Sequence, residues 1–142
     1  TKTTRDENNK DRLENGNYVE TCGNHYVLLV TEQGDATPAL ITMKATQLKK
    51  SRKWNSMLLN LKLNGKNGLF TPPSYSHYYR LKTTKEGNDK GNWYGWEVSR
   101  ETQLEDANLY SIAKAFAESV NKGEVKVKYE EESSTSEQKV PF

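Results

Sequence analysis

Residues 36 to 85 carry ten Lys or Arg and no Asp or Glu. Fifty residues of one sign set up a local field that an evenly mixed surface does not, and such a field attracts polyanions. Interleaved with the cations are Trp54, Phe70, Tyr75, Tyr78 and Tyr79. Cations take up phosphates and aromatic rings stack with bases. The chemistry this pattern could do is therefore non-covalent capture of a single-stranded polynucleotide, with counterion release making it sensitive to salt.

The spacing assigns roles. Lys49, Lys50, Arg52 and Lys53 lie within one helical turn of each other and would form a cluster on a helix, with Lys62 and Lys66 continuing the basic run; these are backbone-contact candidates. A solvated helical face is the plainer reading of the same residues. Arg80 and Lys82 have the strand parity of Tyr78, so Tyr78 would stack a base while the two cations take flanking phosphates. Tyr75, His77 and Tyr79 have the opposite parity, and one of the two sets must be core. Tyr94 and Trp96 offer a second stacking face, opposite Trp93 and Gly95. Phe70, in a loop flanked by Gly and Pro, either wraps a base or plugs the end of the fold. Trp54 reads as a packing residue.

Catalytic chemistry finds little purchase. His25 and His77 are the only histidines and Cys22 the only cysteine, with no His–acid pair at metal-ligand spacing. Gly65, Gly68 and Gly87 mark turns, not a phosphate cradle. The expectation is a non-enzyme without metal or cofactor.

Positioning these residues requires a fold. At 142 residues the chain suits one domain with loose ends. Residues 1–12 are polar and read as a mobile arm, 13–129 as the domain, and 130–142 as a flexible acidic tail. Strands are expected at Tyr18–Cys22, His25–Thr31 and Ala39–Met43. A helix follows from about 47 to 63, with Thr46 as a possible N-cap. The segment Glu86 to Gly91 is a turn joining strands Tyr75–Thr84 and Asn92–Val98. Thr102-Gln103-Leu104-Glu105 resembles a capping box for a second helix to about Asn121, with Leu109, Ile112, Ala113, Phe116 and Val120 as its buried stripe. Glu124–Tyr129 reads as a last strand.

Net charge by segment is −3 over 1–35, +10 over 36–85, −2 over 86–129 and −3 over 130–142, which sums to the formal +2. The single cysteine forms no internal disulfide, which fits a cytoplasmic location. No apolar run has the length of a membrane span and no signal peptide is evident, so no membrane partner is expected.

Three strands, a helix and two strands is the element order of a five-stranded oligonucleotide-binding (OB-like) barrel, mainly β, with a helix between strands 3 and 4 and an appended C-terminal helix. The tail sharpens the comparison. Glu130, Glu131, Glu132, Glu137, Pro141 and Phe142 make the chain resemble bacteriophage-type single-stranded DNA-binding proteins, which carry an acidic tail ending in an aromatic residue. Thr46–Asn60 and Tyr75–Trp96 also resemble sequences of uncharacterised phage proteins. The resemblance implies sequence-independent binding of single-stranded DNA, with RNA as the alternative polymer. It also implies a tail that recruits replication or recombination proteins, in the cytoplasm of an infected host cell. The rival reading is a protein-interaction or structural phage component whose basic face docks an acidic protein.

Overall fold

A computed structural model describes residues 2–125. The tail residues Glu130, Glu131, Glu132, Glu137, Pro141 and Phe142, and the expected last strand from residue 126 onward, lie outside the described residues. Among the described residues nine strands and two α-helices follow in chain order. β1 (Thr4–Arg5), β2 (Asp11–Arg12) and β3 (Tyr18–Val19) pair antiparallel in a small three-stranded sheet. β4 (Cys22–Val30) pairs with β5 (Ala36–Lys44), β6 (Leu63–Gly65) with β7 (Gly68–Phe70), and β8 (His77–Asn88) with β9 (Gly91–Gln103). α1 spans Leu48–Asn60 and α2 spans Ala107–Asn121.

The barrel expectation is corrected here. Four separate antiparallel sheets stand where one closed five-stranded sheet was expected. The element order around α1 is close to that of a barrel, but in the hairpins each strand pairs with its neighbour in sequence and stops there. Closure needs pairing between hairpins, which local alternation does not encode. The hairpin tips and helix starts also move. Asn88 pairs with Gly91, so the β8–β9 loop is only Asp89-Lys90, and Glu86 and Gly87 belong to the strand. Thr46 lies in a 3-10 turn (Ala45–Gln47), and Gln47 precedes α1 without a side-chain cap. Thr102 and Gln103 end β9, while Asp106 caps α2, accepting from the amides of Asn108 at 2.9 Å and Leu109 at 3.0 Å.

α1 joins the two long hairpins. Its Ser51 and Trp54 face inward, at 3% and 6% exposure, and Met43 of β5 is fully buried. The approach to β4 is unusually close: a Cβ built on Gly23 would lie 2.0 Å from Ser51 Oγ and 2.6 Å from Ser51 Cβ. Only a residue without a side chain fits at this crossing. At the other hairpin, Gln47 Oε1 accepts the Trp96 backbone N–H (2.8 Å), so the open edge of β9 is occupied at that point. Glu86 reaches across the face of β9 above Gly95, where a Cβ would lie 2.3 Å from its Oε2. There it accepts from Lys50 (2.6 Å), Trp93 Nε1 (3.0 Å) and Gln47 Nε2 (3.2 Å). These three donors, Lys50 foremost, pull the Glu86 carboxyl down from 4.5 to about 2.

Candidate functional site

A cleft of about 570 Å3 opens between β4, α1, β8 and α2. Seven consecutive residues of β4, Asn24 to Val30, line it. Side chains of a strand alternate between faces, so an unbroken run of lining residues brings backbone as well as side chains to the cleft. Among the described residues β4 pairs with β5 alone, and its other edge forms one wall. His77, Tyr78 and Tyr79 of β8 form the facing wall, and β8 likewise pairs only with β9 among the described residues. Leu109, Ala113, Phe116 and Val120 of α2 contribute the third side. Most of the helix stripe expected from sequence is therefore cleft wall. Ile112 departs from it, at 44% exposure.

The lining is electrically neutral. It contains no Lys, Arg, Asp or Glu among the described residues. Its two imidazoles are held neutral by burial. His25 stacks on Trp54 (4.3 Å between centroids, 14° between planes) with Nε2 2.7 Å from Ser51 Oγ, and desolvation lowers its pKa from 6.5. His77, with Nδ1 2.7 Å from Ser76 Oγ, is lowered first by desolvation and then by the nearby Arg100 charge. Burial raises the Tyr79 phenol, and burial together with Tyr110 raises that of Tyr75, so neither ionises near pH 7. Both Ser–His pairs put the hydroxyl of a buried serine against an imidazole, and among the described residues neither ring has a carboxylate hydrogen bond to orient it as a base. Trp54 Nε1 and the Tyr79 hydroxyl are buried without a partner among the described residues.

The sequence-derived site residues do not converge on one face, and the basic and aromatic surface expected from sequence is not formed. Arg80 pairs with Glu101 (2.9 Å) and Lys82 with Glu97 (3.6 Å), both acids on the strand that β8 meets. Lys50 is taken by Glu86, and Lys44 by Glu20 at 3.4 Å. Lys62 bonds the Leu59 carbonyl and the Thr71 hydroxyl. Lys49 and Arg52 share a second, 400 Å3 hollow with Trp93 near the β8–β9 tip, while Lys53 is exposed on α1 and Lys66 in the β6–β7 turn. The aromatics are as scattered. Tyr94 is 73% exposed, and Trp96 is half-buried with its amide held by Gln47. Phe70 packs over Gly65 within its own hairpin. A bulge between His77 and Tyr79 breaks strand parity, so Tyr78 lines the neutral cleft together with Tyr79. The single-stranded DNA mechanism falls with these placements, and so does the rival in which a basic face docks an acidic protein.

Gln47, Ser51, His25 and Glu86 escaped the sequence reading. For Glu86 a signal existed: it is the first acid after the acid-free stretch and borders it on the C-terminal side. Among the described residues, no three His, Cys, Asp or Glu come together as a metal site. No helix among them is long and apolar enough to cross a membrane.

The chain belongs to the Pam3 phage gp34-like protein family, whose model matches residues 1–126. No curated protein and no solved structure matches it. The phage character of the expected resemblance agrees with this family. Its DNA-binding barrel does not survive the open, hairpin-by-hairpin sheet topology.

Proposed function

We propose that this chain is a non-catalytic phage protein-interaction component, acting in the cytoplasm of the infected cell, whose cleft takes an extended apolar segment of a partner polypeptide. The observation that carries this reading is the unbroken β4 run lining a charge-free cleft. A free edge offers backbone N–H and C=O groups to an added strand, and the flanking apolar side chains select its inward-facing residues. An exposed free thiol at Cys22 is in keeping with a reducing compartment.

The test is selection of short random peptides displayed against the full-length protein, followed by affinity measurement at low and high salt. Enrichment of alternating apolar sequences is expected, with affinity changing less than about twofold between the two salts because no charge among the described residues lines the site. Introducing Leu28→Lys should abolish the enrichment. Selection of acidic peptides, or binding that collapses with salt, would overturn the reading.

A further inference from the structure

Lys44, Lys50, Arg80 and Lys82 of the basic stretch are taken by acids. Lys49 and Arg52 are not. They lie three residues apart on one face of α1, both exposed, and both line the 400 Å3 hollow near the β8–β9 tip. Among the described residues neither forms an ion pair, and no Asp or Glu lines the hollow. Glu86 stands behind the Trp93 wall, accepting from Trp93 Nε1 at 3.0 Å, and its charge is already offset by Lys50 at 2.6 Å. That bond fixes the indole where it borders the two cations. The start of α1 adds to the positive field. Its first turn holds no acid and Gln47 supplies no side-chain cap, while the Thr46 hydroxyl, also in the lining, accepts from Gln47 Nε2 (3.2 Å) instead.

We infer that this hollow binds a small phosphate monoester carrying a flat ring, the class to which nucleoside monophosphates belong. Charge matches first: a phosphate monoester carries about −1.5 to −2 at pH 7, against the two uncompensated cations of the hollow. Geometry matches next. The Arg52 guanidinium offers a planar fork for two phosphate oxygens, and the Lys49 ammonium a mobile point charge for the third. Trp93 gives the ring substituent an aromatic wall to lie against. Size sets the upper limit, since 400 Å3 is in the lower part of the range of about 300–1,000 Å3 that small-molecule sites occupy. The other cations of the stretch are paired or scattered, so the hollow holds one phosphate and continues into no track for a polymer. The site also stands apart from the cleft: the two linings share no residue.

The test is an NMR titration of the full-length, 15N-labelled protein with adenosine 5′-monophosphate and, separately, with inorganic phosphate, at constant ionic strength. Adenosine monophosphate should move the Lys49 and Arg52 amides and the Trp93 indole N–H along one saturating curve, with a dissociation constant below about 1 mM. Inorganic phosphate should move the same two amides at several-fold weaker affinity and leave the indole signal in place. Arg52 is exposed and bonds to no side chain among the described residues, so Arg52→Ala should fold normally and weaken binding about tenfold or more. Lys66→Ala, which removes an exposed cation of the β6–β7 turn, should change nothing. No saturation by about 10 mM, or equal weakening by Arg52→Ala and Lys66→Ala, would overturn the site. Equal affinity for the two ligands would overturn the role given to Trp93, and tighter binding of an oligonucleotide per phosphate than of the monophosphate would overturn the single-phosphate reading.

Discussion

A methyl group at position 23 would lie 2.0 Å from Ser51 Oγ and 2.6 Å from Ser51 Cβ, where ordinary contacts begin at about 3.4 Å. Rotating the hydroxyl away relieves the first clash and breaks the 2.7 Å bond to His25, but it leaves the second. Ser51 is 3% exposed, so α1 itself must move off β4. Overpacking of this kind costs about 1–3 kcal/mol and the lost hydrogen bond about 0.5–1.5 kcal/mol, so Gly23→Ala should destabilise by roughly 2–4 kcal/mol. At about 3–5 °C per kcal/mol for a domain of this size, the melting temperature should fall by about 6–20 °C. Ser51→Gly removes the obstructing carbon at its own penalty of about 1 kcal/mol for a helical glycine, plus the same lost hydrogen bond. Urea unfolding of both single variants and the double variant then isolates the contact. In the Ser51→Gly background, Gly23→Ala should cost less than about 0.5 kcal/mol. An equal cost in both backgrounds would show that α1 does not cross β4 at these two residues.

Three further outcomes follow from the site. His25 is pushed down by burial, so the unfolded chain gains a proton at 6.5 and the folded chain only at lower pH. Stability from His25 is therefore full above 6.5 and lost as pH falls through the folded value; an NMR titration placing His25 at or above 6.5 would contradict its packing on Trp54. Glu86, held at about 2, contributes stability above 4.5 that disappears as pH falls towards 2. Glu86→Gln should flatten the acid limb of a thermal-stability profile in that window, and an unchanged profile would mean that Lys50, Gln47 and Trp93 do not converge on it in solution. Tyr79→Phe removes a buried hydroxyl without a partner and should leave stability unchanged or raise it by up to about 1–3 kcal/mol, measured by urea unfolding; a loss would mean the hydroxyl is bonded.

The elements that were legible in the sequence are those whose information is local. α1 and α2 announce themselves by period, the strands of the first long hairpin by their β-rich runs, and the second hairpin by strands flanking turn residues. What linear reading could not supply is which strand lies beside which cation. Segregated charge in the chain looked like segregated charge in space, yet antiparallel pairing folds Glu97 and Glu101 of β9 onto Lys82 and Arg80 of β8. Each such exposed pair adds only about 0.2–1 kcal/mol of stability, so its main consequence is to cancel the field a polyanion would follow. The misplaced turn had the same effect on the site. Assigning Glu86 to a loop hid the one carboxylate that gathers Lys50, Gln47 and Trp93 and so ties α1 to the second hairpin. With α1 fixed at Gly23 on one hairpin and at Glu86 on the other, the two sheets are held apart as well as together. The same helix that removes Lys50 from the surface opens the neutral gap between the edges of β4 and β8. Loss of the basic face and formation of the cleft are thus two results of one packing arrangement.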